Sequence, residues 1–332
     1  MLREQLVAWR GYEVKTEDDE RECARLTNWY CRARCPTYNG ETTMPTQFET
    51  AGRLFDRLWI DYRERVSYAR DYERIVAELG GRFVNDHVAF RTLRVADAPL
   101  GIESIARIFT TLDYRPQAAI NFPTTRLHAI PYEPPSDELP RVFISELLVD
   151  ELAEPARGIL NQFAAGTAEP LDDDTLHALK AGDQAALNRT VAALTELPWP
   201  TLPTVADVRT VNAQSQYGAW VMLFGNNVNH FTAFVNAHGV PELDDLEKVV
   251  ATMQAHGVPM KSDIEGALGS KLRQTATQAA SLRVPLADGE LEWPYAYFEM
   301  AERGADPERP HQLFQGFLGP QAAQLFEMTK RS

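Results

Sequence analysis

The segments Asn85-Asp86-His87-Val88-Ala89-Phe90-Arg91-Thr92 and Asn227-Val228-Asn229-His230-Phe231-Thr232-Ala233-Phe234 follow one pattern. Each places a histidine just after Asn or Asp residues, at the start of an alternating, strand-like run. Each run is followed by a helical period and then by more strand-like runs. A chain that repeats such an order builds two incomplete, curled sheets. Side by side, two such sheets enclose a cup lined by inward residues of both.

The periods give the element order. Phe48 to Leu79 is helical, with Phe55, Leu58, Trp59 and Tyr62 at three- and four-residue steps, and Gly80-Gly81 ends it. A strand is expected from Asp86 to Leu93. A helix over Gly101–Tyr114 puts Ile102, Ile105, Ile108, Phe109 and Leu112 on one face. Strands follow at about Ala118–Phe122, Arg126–Tyr132 and Arg141–Leu148. Pro155 to about Leu197 reads as helical, and Pro198-Trp199-Pro200-Thr201-Leu202-Pro203 as a stiff linker, because each proline fixes its own φ and restricts its predecessor. The order then repeats: a strand over Val228–Asn236, a helix over Leu243–His256, and strands near Val258–Lys261, Lys271–Ala280 and Pro294–Ala301. A final helix is expected over about Pro320–Lys330. The division is an N-terminal extension (1–46), a first β-α-β-β-β module (47–150), a helical insertion and linker (151–205), and a second β-α-β-β-β module with a C-terminal helix (206–332). The fold class is α+β.

Alternation decides which residues can meet. In a strand, i, i+2 and i+4 share a face. His87, Ala89 and Arg91 therefore point one way. His230, Thr232 and Phe234 share a face, as do Tyr295, Tyr297 and Glu299 if Pro294–Ala301 is one strand. Two histidines and a carboxylate on three strands form the donor set of a mononuclear non-haem Fe(II) site, which leaves open positions for substrate and oxidant. Arg91 lies two same-face steps beyond His87, roughly 13 Å along the strand. Its planar fork can pair with a carboxylate at the far end of a small metal-bound acid. Competing ligands are His128, on the strand Arg126–Tyr132, and Glu146, which ends the first module where Glu299 ends the second. Glu299 has another reading, as an i,i+4 partner of Arg303 if that segment is helical.

With 47 acidic and 33 basic residues the formal charge is −14, and the pI is near 5.0. Such a surface repels phosphate backbones, which argues against a nucleic-acid partner. Met1 to Glu20 is studded with charges, and no run is long enough to cross a bilayer. The chain reads as cytoplasmic, with no membrane partner and its oligomeric state left open. Cys23, Cys31 and Cys35 lie near the start. Their odd number and their spacing match neither a disulfide framework nor a common zinc pattern, so they read as free thiols. No Gly-x-Gly-x-x-Gly, Walker-type loop or Gly-x-Ser-x-Gly elbow occurs.

The stretch Val84–Thr92, together with Asn226-Asn227-Val228-Asn229-His230-Phe231-Thr232 and Tyr297-Phe298-Glu299, resembles the 2-oxoadipate dioxygenase/decarboxylase (hydroxyglutarate synthase) family of the vicinal oxygen chelate superfamily. The resemblance runs from about Phe48 to the C-terminus. It implies two vicinal-oxygen-chelate-like modules forming a metal-containing cup with added helices. It also implies His87, His230 and Glu299 as Fe(II) ligands, and Arg91 as the catalytic residue that binds the distal carboxylate. The implied reaction converts 2-oxoadipate and O2 into 2-hydroxyglutarate and CO2. Gln274, Ser215 and Gln216 are further candidate substrate-binding residues. Two other readings stay open. One is a non-oxidative metal-dependent lyase or isomerase of the same superfamily; the other is a ligand-binding or sequestering protein.

Overall fold

The structure, a computed structural model, describes residues 46–318 apart from residue 97. The three cysteines and the expected final helix lie outside the described residues. Among the described residues no helix is long and apolar enough to cross a membrane.

The chain enters through α1 (Gln47–Arg65) and α2 (Ser67–Glu78). Thr46 and Glu49 form a capping box that starts α1. The single helix expected over Phe48–Leu79 is broken at Val66, whose backbone leaves the helical region (φ −119°, ψ 82°). The apolar period runs on across the break, so period alone cannot reveal it.

The first module is β1 (Asn85–Arg94), α3 (Ile102–Thr111), β2 (Arg115–Pro116), β3 (Ile120–Phe122), β4 (Leu127–Glu133) and β5 (Arg141–Leu148). The connecting helices are α4 (Ala156–Ala164), α5 (Asp173–Lys180), α6 (Gln184–Thr195), α7 (Val205–Gln214) and α8 (Gln216–Phe224). The second module is β6 (Val228–Phe234), α9 (Leu246–Ala255), β7 (Leu272–Ala276), the hairpin β8 (Ala280–Leu286) and β9 (Gly289–Ala296), and β10 (Glu299–Arg303).

One sheet joins the modules in the order β2-β4-β5-β1-β6-β10-β7, with β3 on β4. β1 is parallel to β5, and β5 antiparallel to β4. The second half repeats this, with β6 parallel to β10 and β10 antiparallel to β7. The halves meet at the antiparallel pair β1–β6. The fold is thus α+β, built of two similar β-α-β-β-β halves.

Two local differences from the sequence expectation matter for the site. The run Pro294–Ala301 is not one strand. β9 belongs to the separate hairpin, the chain leaves it at Tyr297-Phe298, and β10 then enters the main sheet. The strand expected near Val258–Lys261 is only a bridge, Met260 to Thr277.

Helix α8 is apolar all round, and Tyr217 to Phe224 are all buried, as befits a helix enclosed on every side. An aromatic layer packs behind the other half of the sheet. Trp59 of α1 stacks on Phe83 at 4.7 Å and meets Phe231 edge-on at 5.1 Å. Rings of this size account for much of a core's burial energy.

Candidate metal centre

Neighbours on a strand face opposite ways, so Asp86 and His87 should point apart. They do not, because β1 and β6 each carry one extra residue here. The register runs Asn85↔Ala233, His87↔Thr232, Ala89↔His230, Phe90↔Val228, which makes Asp86 and Asn229 the extra residues. Such bulges bend a strand and re-aim its side chains. Asp86 Oδ1 thereby lies 2.8 Å from His87 Nδ1, and Asn229 Oδ1 lies 3.1 Å from His230 Nδ1. An oxygen at Nδ1 favours the proton there and leaves the Nε2 lone pair facing the cup.

Glu299, the first residue of β10, is wholly buried. Its Oε1 is 3.5 Å from His87 Nε2, and its Oε2 is 3.5 Å from His230 Nε2. One donor atom from each of the three residues lies within 4.8 Å of the others. Gln274, on β7, donates to Glu299 Oε1. Tyr297 stacks on the His230 ring at 4.9 Å.

The electrostatics suit a cation. Burial pushes the His230 imidazole well below its ordinary range, and His87 and Arg91 add to this. Burial also lowers His87, against the support of Asp86. Burial drives the Glu299 carboxyl well above the carboxylate range, and Glu265 adds to the shift while Gln274 opposes it. Glu299 Oε2 accepts no hydrogen bond although it is buried. Burial alone would raise Asp86 too, but the Arg303 guanidinium holds it well below the ordinary range. Two neutral imidazoles and a carboxylate oxygen turned to one point fit a divalent cation, whose charge would offset that of the buried carboxylate.

A cavity opens beside these donors, with about 440 Å3 of empty space including its mouth. His87, Ala89 and Arg91, which alternation along β1 places on one face, all line it, and Phe90 contributes as well. Arg91 is 1% exposed. Its guanidinium carbon sits 5.0 Å from the Tyr217 ring centroid and 5.2 Å from that of Trp220. Two aromatic faces on α8 thus fix a positive charge in the wall of the cavity. Gln274 and Ser145 also line it, with Phe143 and Phe317 as apolar walls.

Other sequence candidates stand elsewhere. Ser215 caps α8 by accepting from Gly218 N, and Gln216 opens that helix; neither lines the cavity. The Ser215 hydroxyl serves the helix start. Glu146 alternates with Ser145 and so faces away, where it accepts from Ile102 N at the start of α3 and meets His128 at 3.1 Å. Gly101 makes that cap possible. It has φ +93°, and a Cβ there would lie 2.8 Å from Glu146 Oε2. Arg303 is no helical partner of Glu299; it is buried against Asp86. Asp86, Asn229, Tyr217, Trp220 and Phe317 escape the sequence reading. The only hint was the Asp or Asn before each histidine.

Residues 59–329 match the family model described as 2-oxoadipate dioxygenase/decarboxylase. An Oryza sativa subsp. japonica protein named 2-oxoadipate dioxygenase/decarboxylase, chloroplastic/amyloplastic, is 29% identical over 305 residues, 83% of this chain and 79% of its own length. A solved hydroxyglutarate synthase from Oryza sativa, in complex with 2-oxoadipate, is 26% identical with a TM-score of 0.68, covering 89% of this chain and 98% of its own. A glyoxalase-superfamily protein from Ralstonia eutropha JMP134 is similar in fold, with a TM-score of 0.73 at 23% identity over 90% of this chain and 98% of its own.

Proposed function

Because this chain belongs to the 2-oxoadipate dioxygenase/decarboxylase family, we propose that it is a non-haem Fe(II) dioxygenase of a 2-oxo dicarboxylic acid. The best single assignment is 2-oxoadipate + O2 → 2-hydroxyglutarate + CO2, which balances with both oxygen atoms in the products. The observation that carries this reading is the close approach of His87, His230 and Glu299 beside a buried arginine in one cavity.

In this reading His87 and His230 ligate through Nε2, and Glu299 through its carboxylate. Bound Fe(II) would supply the Lewis acidity that draws the carboxylate and keto oxygens of a 2-oxo acid and the redox chemistry that activates O2. Asp86 and Asn229 hold the two rings in the tautomer that ligation needs. Arg91 receives the far carboxylate, and its place between two aromatic faces limits its rotamers. Phe143, Tyr297 and Phe317 exclude water from the reacting end of the substrate.

The test is anaerobic loading with Fe(II), followed by O2 uptake across a panel of 2-oxo acids. Uptake that is stoichiometric with CO2 and highest for dicarboxylic 2-oxo acids is expected. Metal retention without O2 uptake would favour a lyase or isomerase. Ligand binding without metal retention would favour a sequestering protein.

A further inference from the structure

Arg303 ends the strand that Glu299 begins. Its side chain is completely buried and reaches across β6, which lies between β10 and β1. Its Nε donates to Asp86 Oδ2 at 2.5 Å, and its Nη2 donates to Asp86 Oδ1 at 2.6 Å. Asp86 Oδ1 is also the oxygen that holds His87 Nδ1. The remaining terminal nitrogen, Nη1, donates to the carbonyls of Phe314 at 2.8 Å and Gly316 at 3.0 Å. The next residue, Phe317, packs edge-on against the His87 ring at 4.9 Å and against Phe143 at 5.1 Å. Phe317 and Leu318 both line the cavity.

We propose that Arg303 is a positioning residue that fixes His87 through Asp86 and, with the same guanidinium, fastens the segment 313–318 as a wall of the cavity. The inference rests on the metal reading above.

The geometry favours this over a purely stabilising ion pair. The pair ties β10 to β1 directly, although these strands share no backbone hydrogen bonds. The backbone link between them runs through the β1–β6 seam, where two bulges interrupt the ladder of hydrogen bonds. The clamp spans that seam, so the strand bearing Glu299 and the strand bearing His87 keep a fixed separation. It also makes the two histidines unequal. His87 is backed by a carboxylate gripped in bidentate fashion, whereas His230 is backed by the Asn229 amide. Arginine suits the role because its planar fork serves two acceptors on one side and two on the other. Lysine carries the same charge on a single nitrogen and cannot do both.

The test uses Co(II) alone as probe, with affinity from titration and coordination geometry from its d–d absorption. Hydrogen exchange of residues 313–318 is read in parallel. Wild type should bind Co(II), and His87→Ala should not. Arg303→Lys and Arg303→Met should each lose about 10–100-fold in Co(II) affinity, the range for loss of a group that orients a ligand. Both should also exchange faster over 313–318. Asp86→Asn should weaken Co(II) binding to a similar degree while leaving exchange over 313–318 slow. The double variant Asp86→Asn/Arg303→Met should bind Co(II) no worse than the weaker single variant, because Arg303 acts through Asp86. If Arg303→Met does not fold, Arg303→Lys carries the test. Arg303 variants that melt lower yet bind Co(II) with wild-type affinity and spectrum would overturn the proposal and leave the metal reading intact. Wild type that does not bind Co(II), or His87→Ala that binds it equally well, would overturn the metal reading itself.

Discussion

His87 and Arg91 face the same cavity from one strand, two same-face steps apart. A ligand held at the first can therefore extend along β1 toward the second. The distance between the imidazole and the guanidinium along β1 is set by strand geometry, and strand geometry deforms little.

Arg91 should select acids with a second carboxylate. A charge-assisted hydrogen bond there contributes about 1.5–3 kcal/mol, or roughly 10–100-fold in affinity. Arg91→Met should lose this as weaker binding of dicarboxylic 2-oxo acids and leave monocarboxylic ones nearly unchanged. Arg91→Lys should keep part of it. Binding constants for the two acid types across these variants provide the check. An equal loss for both types would make Arg91 a structural residue.

His87→Ala, His230→Ala and Glu299→Ala should each lower Fe(II) retention and remove turnover. Metal content after gel filtration and O2 uptake measure the two effects. Near-normal turnover in any two of the three would disprove the donor assignment.

Glu146→Gln should cost about 1–3 kcal/mol of stability, because it weakens a buried, charged acceptor at the start of α3 and its contact with His128. Metal retention should be unchanged. Urea denaturation together with metal analysis separates this outcome from the alternative in which Glu146 is a ligand.

His238 should make stability fall in mild acid. Its ring is buried against Tyr72 and Phe83, and burial lowers its pKa from 6.5 to about 4. As pH falls, the unfolded chain takes up the proton first. The stabilising contribution is therefore complete above the unfolded value and is lost as pH drops through the window from 6.5 to about 4. A shift of that size corresponds to on the order of 3 kcal/mol. Denaturation midpoints of wild type and His238→Gln across this window should converge as pH falls. Parallel curves would show that His238 does not titrate there.

Much of the site was legible because strand alternation is a strict rule. It places His87, Ala89 and Arg91 on one face, and the matched run places His230 at the head of the second half. What escaped was whatever breaks the period or lies where the period says nothing. Asp86 and Asn229 sit in bulges, and an extra residue leaves no mark on a count of two. Tyr217 and Trp220 lie on a helix that is apolar all round, so no face of it was singled out. Arg303 sits four residues after Glu299, a spacing that suggests a helical pair. On a strand the same spacing sends Arg303 across the sheet to Asp86. Ser215 is a candidate by its polarity, and a helix start draws on the same hydroxyl chemistry. The break at Tyr297-Phe298 was hidden because both sides of it are strand.

β1 leaves the ribosome long before β6 and β10 exist, since synthesis runs from the N-terminus. The residues that clamp the first and last of these strands, Asp86 and Arg303, are 217 positions apart. A chain that has emerged only through β5 carries His87 alone of the three donors and has no partner for that edge of β1. A nascent or truncated product of that length therefore cannot bring the three side chains together. Closing the β1–β6 seam brings His87 to His230, and the set of three is complete only when β10, which carries Glu299, has also joined β6.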